Sequence, residues 1–246
     1  MSVSSQWGKS MTNKLASSRV PFVISMGGAA GTDLSIGCDG ASDLAKAYES
    51  IYTTYYPTAL DFDIEGGLSG NTAAVNKIMT ALTIFQANHP DVPISFTIAT
   101  MPEGVDYLGA AILKAIVASG LKFSVNLMTM DYGPAYSGDM AQYAMKAAQS
   151  LYYSLKGYFP NKSGEELWKM VEVTPMIGVN DVNVEKFTLQ NAATLRDWAR
   201  SVGMGALHMW SVGRDVPCSS NYASATCSGG NLQSQPNEFM TTFAKP

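Results

Sequence analysis

The fold class that the sequence predicts is α/β with a parallel sheet, and three observations support this prediction. Short β-rich segments alternate with longer helical patterns along the chain, which is typical of repeated βα units. The 246 residues fit one domain with a sizeable core, so we expect residues 1–246 to form a single domain. Apolar residues make up 46% of the chain and charged residues 15%, which is a globular composition.

Six strands are predicted from the β-rich segments: Val20–Met26, Ala59–Glu65, Ile94–Thr100, Lys122–Met130, Val171–Ile177 and Ala206–Trp210. The helical patterns between them and after them lie at Ala41–Tyr55, Asn71–Asn88, Val105–Ser119, Met140–Lys156, Val184–Ser201 and Asn237–Ala244. The segment 2–18 also has a helical pattern. The Gly/Ser-rich stretch from Cys218 to Gln235 is predicted to be one long surface loop.

Charge and hydropathy patterns exclude two classes of partner. The net charge is −4 and no Lys/Arg stripe interleaved with aromatic residues occurs, so we expect no nucleic acid. No apolar run approaches the roughly 20 residues of a membrane span, so we expect no membrane partner. The glycine-containing turn Ser25–Gly31 matches neither a dinucleotide fingerprint nor a phosphate loop, and no cofactor is expected.

An acidic row stands in the second predicted strand, Leu60-Asp61-Phe62-Asp63-Ile64-Glu65. Because a strand sends alternate side chains to opposite faces, the three acids share one face and lie roughly 7 Å apart along it. Their negative charges raise one another's proton affinity, which favours a protonated Glu65. A carboxylic acid that is still protonated near neutral pH is what general-acid cleavage of a glycosidic bond requires.

Two other interpretations of this acidic row stay open. It could be the solvated face of an amphipathic strand, although parallel strands of α/β folds are buried on both faces and an acidic row there is unfavourable unless it has a function. It could also bind a hard cation, since carboxylates without a nearby histidine suit no other metal. We expect no metal.

The cysteines predict the redox environment. Cys218 and Cys227 flank a short Ser/Asn/Ala/Thr-rich segment, so we expect a disulfide between them and a free Cys38. Such a bridge implies a secreted protein whose leader has been removed, since the first residues lack a secretory signal. The alternative is a pair of unpaired thiols in a cytosolic protein.

Five segments together resemble glycoside hydrolase family 18, in its bacterial and archaeal chitinase branch. The segment Thr58–Glu65 resembles the family's D-x-x-D-x-D-x-E signature and Ser25–Gly28 resembles its S-x-G-G strand. Three further segments are similar to later strands of the family, in the family's order: Val125–Gly133, Thr174–Asp181 and Met209–Asp215. Thr58 stands where the signature has its first Asp.

The resemblance implies a TIM (β/α)8-type barrel. In the family, S-x-G-G lies on the third barrel strand and the acidic motif on the fourth, yet only a short segment precedes Ser25. We therefore expect an incomplete barrel of about six βα units, in which the strands that carry Ser25 and Trp210 face each other across a gap. Open strand edges favour self-association with a second copy of the chain.

The resemblance also implies the roles of the acids. Glu65 would protonate the leaving oxygen, while the acetamido carbonyl of the neighbouring sugar attacks the anomeric carbon. Asp63 would hold the acetamido N–H, and Asp61 would keep Asp63 poised, with Ser25 bracing Asp61 by a hydrogen bond. Tyr132 would bind the acetamido oxygen, unless it is a buried core tyrosine. The wider family often carries its tyrosine two positions earlier, where this chain has Met130.

A second set of residues is expected to bind substrate. Trp210 would give a sugar ring an apolar platform at the end of the last strand. Asp181 would bind sugar hydroxyls, unless it caps a helix. His208 is expected to be a satisfied core histidine. The remaining candidates lie on the matching segments and are Met128, Met176, Asp131, Ser25, Gly27 and Gly28, with Met26 as further barrel filling.

The function that follows is an endo-acting chitinase, which hydrolyses β-1,4-linked N-acetylglucosamine chains with chitin or chito-oligosaccharide as its partner. Two alternatives stay open: an endo-N-acetylglucosaminidase, and a chitin-binding lectin that kept the fold without turnover. The presence of Glu65 disfavours the lectin, whereas missing barrel strands favour it.

Overall fold

A computed structural model describes residues 5–245, which divide into two compact units. The N-terminal unit comprises residues 5–98 and 107–123, and the C-terminal unit comprises residues 99–106 and 124–245. Helices and parallel strands alternate in both, which confirms the α/β prediction. Among the described residues six strands form parallel ladders, as expected for six βα units. That residues 1–246 act as a single catalytic domain stays a prediction.

The N-terminal unit contains three parallel strands in the order β1-β2-β3. Its elements are α1 (Lys9–Ser17), β1 (Val23–Gly27), α2 (Leu34–Gly37), α3 (Ala41–Tyr55), β2 (Ala59–Ile64), α4 (Thr72–Asn88), β3 (Ile94–Ala99) and α5 (Tyr107–Ala118). In the strand register, Asp61 lies between Ser25 on β1 and Ser95 on β3.

The core of this unit lies on the face of β2 that alternates with the acids. Leu60, Phe62 and Ile64 are buried there. Tyr48 of α3 packs edge-on against Phe62 at 5.1 Å between ring centroids, and Phe96 of β3 lies 5.9 Å from it. Burying these side chains is the main free-energy gain that orients β2, and the acidic face follows from it.

The N-terminal helix α1 lies within the predicted helical segment 2–18, of which residues 2–4 fall outside the described residues. It packs against α3. The Tyr55 hydroxyl donates to the Trp7 carbonyl at 2.7 Å, and the Lys9 ammonium donates to the Thr54 carbonyl. These contacts attach α1 and the residues before it to α3.

The C-terminal unit contains three parallel strands in the order β4-β5-β8 and an antiparallel pair, β6 with β7. Its elements are β4 (Ser124–Thr129), α6 (Met140–Tyr158), α7 (Gly164–Trp168), β5 (Val171–Pro175), β6 (Gly178–Val179), β7 (Lys186–Phe187), α8 (Leu189–Val202), β8 (Ala206–Leu207) and α9 (Glu238–Ala244).

Several predicted element bounds differ from the observed ones by two residues or more, and two of these differences have a clear physical reason. The helix expected from Val184 begins at Leu189, because Thr188 and Asn191 form a reciprocal capping box and the preceding Lys186–Phe187 pairs with β6. The last strand, expected to reach Trp210, ends at Leu207, and only a single bridge between Met176 and Trp210 continues it. The short elements α2 and α7 and the β6–β7 pair were not predicted, since their few residues carry too little periodicity.

No helix within residues 5–245 is both long enough and apolar enough to cross a membrane.

Candidate active site

The acidic row lies on β2 as the sequence predicts. Asp61 and Asp63 belong to the strand, and Glu65 follows it in extended backbone at φ −138° and ψ −178°, so the alternation continues to the third acid. Asp61 is buried with 8% of its surface exposed, whereas Asp63 and Glu65 are partly exposed. The row therefore runs from a buried end to an accessible end at the carboxyl end of the strand.

Three hydroxyl groups hold Asp61. Ser25 donates to its Oδ2 at 2.6 Å, which is the hydrogen bond that the sequence led us to expect. Ser95 donates to Oδ1 at 2.7 Å, and Thr97 lies within 3.0 Å of both oxygens. The last two residues were missed, although their period-two spacing on the strand next to the acids is a readable signal. Three donors fix the Asp61 carboxylate and compensate its burial.

Asp63 is the acid whose proton affinity the site raises. Burial raises the pKa of Asp63 from 3.8 to about 7, and the charges of Glu65 and Asp61 and a hydrogen bond with Glu65 add to the effect. This raised pKa at Asp63 was not predicted from the sequence, and it arises because Asp63 stands between two acids and is partly desolvated. The hydrogen bond also places the Asp63 carboxyl directly beside that of Glu65.

Gly27 and Gly28 bring the backbone of β1 against the acid strand. A Cβ at Gly27 would lie 2.1 Å from the Asp63 carbonyl oxygen, and its φ of +112° is one that side-chain-bearing residues rarely adopt. The Gly28 amide donates to the same carbonyl at 3.1 Å. A Cβ at Gly28 would lie 3.9 Å from Asp63 Oδ2 and from Glu65 Oε1. Gly27 thus allows β1 to approach the backbone of the acid strand closely, and Gly28 lies beside both carboxylates.

Tyr132 lies in the C-terminal unit, in the loop after β4. Its ring packs with Tyr136 and Tyr143 at centroid distances of 5.7 and 6.0 Å, and it is buried. Burial, with a smaller effect of the Glu185 charge, raises the pKa of Tyr132. This is the environment of the alternative that we named, a buried tyrosine, and its contact with substrate stays a prediction.

Asp131 and Asp181 flank a contact between two loops of the C-terminal unit. Asp131 has a left-handed backbone, with φ 53°, and its Oδ1 accepts a hydrogen bond from the Val182 amide at 2.9 Å. Asp181 is exposed and caps no described helix, since Thr188 is the residue that caps α8. The sequence missed Glu185, which is fully buried in this loop.

Trp210 is exposed at the end of the β8 segment, with 57% of its surface accessible. Its amide donates to the Pro175 carbonyl at 2.8 Å and its carbonyl accepts from the Ile177 amide at 2.9 Å, so its backbone is fixed to the strand region beside it. Met176, opposite Trp210, is buried, and Met128 is partly exposed. A held backbone with an exposed indole is suited to contact a ligand.

His208 is not a core residue. Its Nε2 lies 2.9 Å from Glu172 Oε2, so it has a partner, but its side chain is 43% exposed. The expectation of a satisfied histidine is right and that of a buried one is wrong, because β8 pairs with β5 on one side and its described ladder is short.

The disulfide between Cys218 and Cys227 is present, and Cys38 is free, as predicted. The loop that it closes is also held by the buried Arg214. The guanidinium donates to the Ser224 carbonyl, and to Ile177 O and Val179 O at 3.0 and 2.6 Å. The stretch between Cys218 and Gln235 contains no helix or strand, which confirms the long loop.

Among residues 5–245, no group of three or more His, Cys, Asp or Glu side chains is arranged to hold a metal ion. Parallel βα units with acids at the carboxyl end of a strand, one with a raised pKa, are typical of α/β-barrel glycoside hydrolases. Comparison with known proteins identifies the family within this class.

No protein-family model matches the chain. It is 33% identical over 212 residues to the probable bifunctional chitinase/lysozyme of Escherichia coli (strain K12). The matched region covers 81% of this chain and 24% of that protein. It is also 33% identical over 218 residues to endochitinase 11 of Metarhizium anisopliae, covering 83% of this chain and 41% of that protein. The chain thus spans less than half the length of these curated relatives.

Solved structures give fuller coverage. The catalytic domain of a hyperthermophilic chitinase from Pyrococcus furiosus superposes with a TM-score of 0.86 at 35% identity, over 98% of this chain and 79% of that one. Catalytic-site mutants of active domain 2 of that organism's thermostable chitinase, complexed with chito-oligosaccharides, give 0.87 at 35% identity, over 96% and 76%. A fern family GH18 chitinase domain shares the fold, with a TM-score of 0.59. The chain belongs to the family 18 chitinases of the glycoside hydrolases.

Proposed function

We propose that this chain is an endo-acting chitinase, which cleaves β-1,4-linked N-acetylglucosamine polymers or oligomers with retention of configuration. The observation that carries the proposal is the row of acids, in which the carboxyls of Asp63 and Glu65 share a hydrogen bond and Asp61 lies at the buried end. The names of the similar proteins support the same substrate class.

The chemistry needs a proton donor and a substrate nucleophile. Glu65, at the accessible end of the row, gives its proton to the leaving glycosidic oxygen while the acetamido carbonyl attacks the anomeric carbon. Asp63 holds the acetamido N–H and stabilises the positive charge that develops there. Because the pKa of Asp63 is raised to about 7, Asp63 holds a proton near neutral pH, next to the Glu65 carboxyl with which it shares a hydrogen bond.

Asp61 and Trp210 complete the proposal. Asp61 is held by three hydroxyl donors, and its charge helps to raise the pKa of Asp63. Trp210 offers an exposed indole on which an apolar sugar face can stack. Tyr132 is the proposed partner of the acetamido oxygen. The disulfide supports an extracellular location, because such bridges persist in oxidising surroundings.

The test is the turnover of a fluorogenic chitobioside by Glu65→Gln. The amide is nearly isosteric and cannot donate the proton, so we expect a loss of about 100-fold or more with folding intact. Glu165→Gln, at an exposed glutamate of α7, is the matched control and keeps wild-type turnover. If Glu65→Gln retains more than about a tenth of wild-type turnover, Glu65 is not the proton donor. Binding of chito-oligosaccharide without turnover by the wild type would favour the lectin instead.

A further inference from the structure

Glu185 is a buried carboxylate that has no part in the proposed reaction. None of its surface is exposed. Its Oε1 accepts a hydrogen bond from the Gly133 amide at 2.8 Å, while Oε2 is buried with no hydrogen-bond partner among the described residues. Burial raises the pKa of Glu185 above its usual range. Burying a carboxylate is unfavourable unless its contacts compensate, so the hydrogen bond to Gly133 is the contact to explain.

That hydrogen bond is half of a reciprocal connection between two loops. The loop after β4 supplies the Asp131 carboxylate, which accepts from the Val182 amide at 2.9 Å. The loop after β6 supplies the Glu185 carboxylate, which accepts from the Gly133 amide. Each loop therefore satisfies a backbone donor of the other, and the two residues of the first loop that take part, Asp131 and Gly133, flank Tyr132 in sequence.

The backbone around Glu185 is itself fixed. The Glu185 amide donates to the Val182 carbonyl at 2.8 Å, and its carbonyl accepts from the Asn180 amide at 3.1 Å, which closes a tight turn. Asp131, on the other side, has its left-handed backbone at φ 53°, a conformation that residues with a side chain adopt rarely and that needs support from its surroundings. The turn that carries Glu185 is fixed by its own backbone hydrogen bonds, whereas the loop of Asp131 has an unusual backbone conformation. We therefore expect Glu185 to hold the loop of Asp131 in place, and not the reverse.

We propose that Glu185 is a positioning residue, which sets the loop Asp131–Gly133 through its hydrogen bond to Gly133 and thereby places Tyr132 for the acetamido group. This inference rests on the proposed function, because Tyr132 matters only if that loop contacts substrate. This role requires a side chain of the right length, because its acceptor oxygen must lie where the Gly133 amide points. Charge is not required, since a neutral amide oxygen accepts the same hydrogen bond.

Two variants separate the effect of side-chain length from the effect of charge. Glu185→Gln keeps the side-chain length and loses the charge, whereas Glu185→Asp keeps the charge and shortens the side chain by one methylene. We measure kcat and KM on the fluorogenic chitobioside and Kd for chito-oligosaccharide, well below the unfolding temperature, with Glu165→Asp as the control. The expected result is wild-type kcat within about threefold for Gln, and a fall of roughly tenfold or more for Asp, because small displacements of positioned groups are costly.

Equal losses in both variants, or wild-type kcat and Kd in folded Glu185→Asp, would overturn the inference. A variant of purely structural effect lowers the unfolding temperature and leaves kcat per folded molecule unchanged. If the wild type binds chito-oligosaccharide without turning over the chitobioside, the proposed function fails alone, and the order of the variants in Kd still decides the role of Glu185.

Discussion

The raised pKa of Asp63 makes a prediction about stability that needs no substrate. In the native state the protonated form of this carboxyl is favoured, whereas in the unfolded chain it titrates near 3.8. The native chain therefore binds one proton more than the unfolded chain between these two pKa values. The stability that Asp63 contributes is fully present below pH 3.8 and is lost as the pH rises through about 7.

The substitution Asp63→Asn removes this loss. Asparagine stays neutral at all pH values, resembles the protonated acid in shape and can donate to Glu65. A shift from 3.8 to about 7 corresponds to about 4 kcal/mol at roughly 1.4 kcal/mol per pH unit, as an upper bound. Asp63 is partly exposed and solvent screens its charge, so we expect about 1 to 2 kcal/mol. This corresponds to roughly 2 to 8 °C in Tm for a chain of this size.

The assay is thermal unfolding of wild type and Asp63→Asn between pH 4.5 and pH 8.5. The difference in Tm, variant minus wild type, should be small at the acidic end, grow through neutral pH and level off above it. Asp43→Asn, at an exposed acid on α3, should show no such pH dependence. In a Glu65→Gln background the growth should shrink, because one of the charges that raise the pKa of Asp63 is gone. A difference that stays constant across the pH range would refute the reasoning.

Three further predictions concern packing, binding and covalent structure. Gly27→Ala should lower the free energy of unfolding by about 3 kcal/mol or more, because its Cβ would overlap the acid strand. Gly157→Ala on α6, where a Cβ meets nothing, should not lower it. Equal effects of the two substitutions in denaturant melts would contradict this prediction. Trp210→Ala should weaken chito-oligosaccharide binding about tenfold by calorimetry, through loss of apolar contact, and an unchanged Kd would exclude stacking. Replacing Cys218 and Cys227 by serine should lower the free energy of unfolding by roughly 2 kcal/mol, whereas equal stability under oxidising conditions would show that the bridge adds none.

The elements that depend on local pattern could be predicted from the sequence. Alternation predicted that Asp61 and Asp63 of β2 and the following Glu65 share one face, and the structure shows this, because apolar Leu60, Phe62 and Ile64 determine which face is buried. The helix Ala41–Tyr55 was predicted at both ends, since its periodicity and its flanking residues are local. The disulfide was predicted from the short loop between its cysteines.

The properties that depend on residues distant in the chain were decided by the tertiary structure. The raised pKa of Asp63 was not predicted, because it depends on desolvation and flanking charge, and neither can be read from alternation. The start of α8 moved to Leu189 because a capping box and strand pairing outweighed helical periodicity. Glu185 carried no signal, since its partner Gly133 lies 52 residues away. Sequence period determined which side chains share a face, and the folded chain determined what each of them contacts, because burial and hydrogen bonding are set by neighbours that only folding brings together.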